Sequence, residues 1–86
     1  MFTPEFVSEE RGEYTLVANH SLENAEAIEL SIAYNRARIE FGVSQLPAHL
    51  QRCRLIYDIR GQVVSESVIS QIREALSHAC ALEFKS

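Results

Sequence analysis

The chain has 86 residues, of which 47% are apolar and 23% charged, and carries a net charge of −4. Such a profile describes one globular domain (1–86) and excludes a disordered chain; two cysteines, Cys53 and Cys80, are too few for a disulfide scaffold. No apolar run approaches the roughly 20 residues of a membrane span, and the acidic start is unlike a secretory leader, so the expected setting is cytoplasmic with reduced thiols.

Residues 1–12 (MFTPEFVSEERG) read as an N-terminal arm. Its Phe2, Phe6 and Val7 need cover, which an edge strand or a second copy of the chain would supply. Residues 13–19 (EYTLVAN) read as a strand with Tyr14, Leu16 and Ala18 on one side. HSLENA is a connector, with Ser21 able to begin a single helical turn.

The stretch 28–43 (IELSIAYNRARIEFGV) fits two templates. As a helix it has two opposed apolar faces: Ala27, Leu30, Tyr34, Ala37 and Phe41 on one, Ala25, Ile28, Ile32, Ile39, Val43 and Leu46 on the other. Such a helix must be buried on both sides, and a short chain has little to cover it with. As a hairpin, Ile28, Leu30, Ile32 and Tyr34 alternate on even numbers and Ala37, Ile39, Phe41 and Val43 on odd ones. The phase slips at Asn35-Arg36, as a two-residue turn requires. All eight then share one side of a sheet and small or polar residues fill the other. The hairpin explains every position, and the spacing predicts two strands.

Farther on, SQLPAHLQR predicts a short helix opened by Pro47, with Leu46, Leu50 and Cys53 on one side. CRLIYDIR (53–60) predicts a strand with Leu55, Tyr57 and Ile59 inward and Arg54, Asp58 and Arg60 outward, broken at Gly61. Ser65 can cap a C-terminal helix whose Val68, Ile69, Ile72, Ala75, Leu76 and Ala79 form one apolar stripe. HACALEF (78–84) can leave that helix as a last strand. The expected fold is α+β: an antiparallel sheet of about four strands in the order β-β-β-short α-β-α, with the C-terminal helix packed on one face.

Charge is unevenly spread. Residues 1–35 hold seven acids and one base, whereas residues 36–60 hold five arginines against two acids. Arginine presents a planar fork that matches carboxylates and phosphates. On the predicted sheet Arg38, Arg54 and Arg60 share the face away from the helix and could bind an acidic partner, or pair internally with Glu29, Glu40 and Asp58. A net −4 chain is a poor nucleic-acid binder, so nucleic acid is not an expected partner.

His49, Cys53, His78 and Cys80 are the candidate metal ligands, but they lack the tight Cys-x-x-Cys pairing of zinc sites. Neither a metal nor a cofactor is expected. His49 and Cys53, four apart on the short helix, could form with Tyr57 a small-molecule or catalytic pocket. The string YDIRG (57–61) resembles the YDIRG motif of the phosphohexomutase family over five residues. The phosphoserine loop and metal-binding aspartates of that family have no counterpart here, and a strand followed by a turn accounts for the string. The expected function is a small, acidic, non-enzymatic interaction or regulatory module, homodimeric, binding a macromolecular partner through Arg38, Arg54, Arg60, Phe2 or Phe6. A pocket at His49, Cys53 and Tyr57 is the alternative.

Overall fold

The computed structural model describes residues 5–8 and 11–86. The arm contributes strand β1 (Glu5–Ser8), which pairs antiparallel with β2 (Glu13–Ala18). The turn between them places Gly12 at φ 62°, and a Cβ there would lie 2.6 Å from the His49 carbonyl oxygen. Positive φ and close backbone approach both call for glycine. The expected edge strand is thus formed by Phe6 and Val7, while Phe2 lies outside the described residues.

The segment predicted as a hairpin is one helix, α1 (Ala25–Ser44). Asn24 caps it, its side chain accepting the Ala27 N–H at 2.8 Å. Ala, Glu, Leu and Arg favour the helical state along its length. A reversal at Asn35-Arg36 would need left-handed backbone, and no described non-glycine residue has positive φ. The period-two alternation in both halves is real but is also what a helix with two apolar faces produces. One face, Ile28, Ile32 and Ile39, packs on the sheet; the other, Leu30, Tyr34 and Phe41, is exposed. The premise that both faces must be buried is what failed.

A single 3₁₀ turn (Ala48–Leu50) stands where the short helix was expected and leads into β3 (Arg52–Asp58). Helix α2 (Glu66–Leu76) follows, capped by Ser65, whose hydroxyl accepts the Val68 N–H. Strand β4 (Ala81–Lys85) closes the chain. The sheet order is β1-β2-β3-β4 and the sheet is mixed, not antiparallel: β2–β3 and β3–β4 are both parallel. This correction follows from the previous one. A parallel pair needs a crossover of a dozen or more residues, and α1 supplies it between β2 and β3.

Leu16, Leu55, Tyr57, Ile72 and Leu76 are fully buried between the sheet and the helices. The alternation read for β2 and β3 holds: Tyr14, Leu16, Ala18, Leu55 and Tyr57 face the helices, and Cys53, expected to line the short helix, joins them on β3. Helix α1 comes close to the sheet where Gly42 meets the Tyr14 ring, since a Cβ there would lie 2.5 Å from the phenol. Among the described residues no helix is long and apolar enough to cross a membrane.

Candidate functional site

Helix α1 carries polar groups on its inner face and an apolar stripe on its outer one. Within the inner face Ile28, Ile32 and Ile39 are interrupted by Ser31 (3% exposed) and Asn35 (0%). Buried polar groups must be hydrogen-bonded, and these are. Asn35 Nδ2 donates to the Ser31 carbonyl (2.9 Å) and to the Tyr57 hydroxyl (3.0 Å). Its Oδ1 accepts from Arg38 at 2.8 Å, which fixes the amide orientation. The Tyr57 and Ser31 hydroxyls lie 2.9 Å apart, and Ser31 Oγ is 2.8 Å from His20 Nδ1.

These contacts impose a direction. With Tyr57 accepting from Asn35, every hydroxyl proton finds an acceptor when Tyr57 donates to Ser31 and Ser31 to His20 Nδ1. The chain therefore requires neutral His20 with its proton on Nε2. Burial, and then the nearby Arg38 cation, lower the His20 pKa below its ordinary 6.5, consistent with that state. Burial pushes the Tyr57 phenol up, which keeps it protonated despite its two hydrogen bonds. A Gln62 clasp holds the His20 segment in place: the Gln62 amide donates to the His20 carbonyl at 2.9 Å and accepts the Leu22 N–H at 2.9 Å.

Ser31 and His20 resemble a nucleophile and its base in distance alone. The hydroxyl is shut off from solvent beneath α1 and already bonded to Tyr57, so the cluster ties the helix to the sheet rather than meeting a substrate. Acid reverses the direction of one link. Protonated His20 would donate at Nδ1 and leave one of the Ser31 and Tyr57 hydroxyl protons without an acceptor. The folded pKa lies below the unfolded one, so the unfolded chain binds more protons between the two. Stability is therefore full above about pH 6.5 and is lost as pH falls through the folded value. Urea melts at stepped pH will show this loss, and His20→Gln will remove it.

The outer stripe consists of Leu30, Tyr34, Ala37 and Phe41, with Leu30 63% and Phe41 71% exposed. Tyr34 belongs to both layers. Its ring meets His20 edge-on at 5.3 Å, and the Arg38 guanidinium lies over it, 5.4 Å from the centroid. The stripe and the buried cluster are thus mechanically joined through one aromatic ring.

The sequence-predicted arginines do not form a strip. Arg38 is on α1, half-buried, donating to Asn35 and, at 3.3 Å, to the Val17 carbonyl. Its assignment to the outer face of a sheet fell with the hairpin. Arg54 does lie on the sheet face away from the helices, where Glu83 and, at 3.9 Å, Glu13 pair with it. Arg60 pairs with Asp58 at 2.7 Å and holds that carboxyl down to about 2. Of the acids expected as internal partners, Asp58 serves, while Glu29 and Glu40 sit on the exposed side of α1. Phe6 is 65% exposed on β1.

The alternative pocket is not assembled. His49 is exposed in the 3₁₀ turn, Cys53 is buried on β3 and Tyr57 is committed to the polar cluster. Because the residues after Leu50 extend into a strand, His49 and Cys53 lose the helical spacing that would align them. Among the described residues no group of three or more His, Cys, Asp or Glu is placed to hold a metal ion. Sequence reading missed Ser31 and Asn35. Their signal was present: at positions 31 and 35 they fill the gap in the helical series Ile28, Ile32, Ile39, as polar residues on a buried face. No protein-family model, curated protein or solved structure matches the chain, so any functional reading rests on this geometry.

Proposed function

We propose that the protein is a non-enzymatic interaction module that self-associates through the outer face of α1. The observation that carries this reading is the exposure of Leu30, Tyr34 and Phe41 on a helix whose other face is fully engaged. Leu30, Tyr34, Ala37 and Phe41 are spaced four, three and four apart, the alternation of a coiled-coil seam. The stripe is also self-complementary. An antiparallel two-fold pairing centred between Asn35 and Arg36 sets Leu30 against the partner's Phe41 and Tyr34 over the partner's Ala37, large against small. An isologous contact of this kind closes as a dimer. Small exposed residues beside the seam, Ala33 among them, let the helices approach. The module would be homodimeric and would present its sheet face, with Phe6, to a macromolecular partner.

Sedimentation or light scattering at micromolar concentration tests this. Wild type is expected at twice the monomer mass, and the double variant Leu30→Glu/Phe41→Glu as a monomer with an unchanged circular-dichroism spectrum. A wild-type monomer throughout the micromolar range defeats the reading.

A further inference from the structure

The geometry points to Cys53 and Cys80 as a redox-active dithiol that closes to an intramolecular disulfide, with glutathione disulfide or a hydroperoxide as the oxidant class. The two residues come from distant parts of the chain but meet at one rim of the sheet. Arg54 pairs with Ala81 in the parallel β3–β4 register, so the next position outward sets Cys53 beside Cys80. Neighbouring strands run about 4.8 Å apart, inside the roughly 4.4–6.8 Å Cα window of a disulfide. Both side chains belong to the core under the helices, 7% and 8% exposed, and both are free thiols.

The thiols are in contact and unequal. Interaction between the two thiols, with burial, holds the Cys53 pKa up, while the same interaction lowers that of Cys80. The Cys80 thiol in turn lies 3.6 Å from the Leu76 carbonyl. The Arg38 guanidinium acts on Cys53 from α1, and its second terminal nitrogen is buried without a hydrogen-bond partner. A cation with spare donor capacity favours the Cys53 thiolate needed for the closing step. Chemistry reaches the pair through the rim: Arg52, Ala79 and Ala81, which flank it, are all exposed, and Cys80 lies in the bend just before β4.

The steps balance. The Cys80 thiolate attacks one sulfur of glutathione disulfide, and one glutathione thiolate leaves. Cys53 then gives its proton to solvent and attacks the Cys80 sulfur, expelling the second glutathione. Two thiols are oxidised, one disulfide is reduced, and β3 becomes covalently clamped to β4. This inference is independent of the dimer reading, since neither cysteine lies on the outer face of α1.

The test is equilibration of the protein in graded mixtures of reduced and oxidised glutathione, followed by acid quench, alkylation and intact-mass measurement. The monomer is expected to lose two hydrogens, with a peptide map joining Cys53 to Cys80. Any chain with two cysteines can close when unfolded, so the folded chain is compared with the same chain in concentrated urea. Folding is expected to make the disulfide at least tenfold harder to reduce, about 30 mV in midpoint. Cys53→Ala and Cys80→Ala are expected to abolish the two-hydrogen loss. A folded midpoint equal to or more oxidising than that in urea, or an end state of glutathione adducts or intermolecular disulfides, overturns the proposal.

Discussion

Ile39→Asp is expected to abolish cooperative folding, whereas Phe41→Asp is expected to leave the monomer within about 1 kcal/mol of wild type. Ile39 is 2% exposed and Phe41 71%, although they are two residues apart. On a strand the two would share a face and respond alike; on α1 they point in nearly opposite directions. An unpaired carboxylate at Ile39 loses its hydration inside the core, a penalty of several kcal/mol after relaxation. A small domain has only about 5–15 kcal/mol of stability in all. At Phe41 the new charge stays in water and pays only for its place near the negative end of the helix, about 0.3–1 kcal/mol. Urea melts followed by far-ultraviolet circular dichroism, at a dilution where the chain is monomeric, measure both. Equal responses of the two variants would restore the hairpin and remove the outer stripe with it.

Asn35→Ala is expected to lower stability by about 2–3 kcal/mol, a large effect for replacing one polar residue with the best helix former. Asn35 is fully buried and binds the Ser31 carbonyl, the Tyr57 hydroxyl and Arg38. Truncation leaves the Tyr57 oxygen without the Asn35 donor and removes the 2.8 Å acceptor of Arg38, which keeps the Val17 carbonyl at 3.3 Å. Each orphaned buried group costs about 1–3 kcal/mol, and the helix-propensity gain of under about 1 kcal/mol offsets part of it. The denaturant midpoint should fall with an unchanged slope. Tyr57→Phe should be non-additive with Asn35→Ala by more than about 0.5 kcal/mol, because the two side chains share a bond. Strict additivity would mean that the cluster is a set of separate contacts rather than one network.

The polar cluster explains why α1 sits where it does. A helix with isoleucines on one side and Leu30, Tyr34 and Phe41 on the other could rest on the sheet by either face. Ser31 and Asn35 meet their partners Tyr57 and His20 on one side only. Burying the opposite face would leave the Tyr57 hydroxyl unpaired in the core. The network therefore selects which apolar face is buried and, by exclusion, which stays exposed.

Some of this was readable from residue order alone. Strands β2 and β3, with Tyr14, Leu16 and Ala18 and then Leu55 and Tyr57 inward, follow from alternation over a few residues. Helix α2 follows from the Ser65 cap and the apolar stripe from Val68 to Leu76, although Ala79, expected in that stripe, lies beyond the helix and is exposed. Strand β4 falls largely within the 78–84 read as a last strand. These features arise from interactions within a turn or a strand length, where pattern and structure are the same thing. The state of 28–43 was not settled locally, because its apolar residues satisfy both periods. Parallel pairing of β2, β3 and β4 decided it, since such a crossover is usually a helix, and a buried Asn35 needed Tyr57 from 22 residues away. The contact of Cys53 with Cys80 and the scattering of Arg38, Arg54 and Arg60 onto unrelated surfaces have the same origin. Register between strands distant in sequence is a property of the whole packed chain, and no local window contains it.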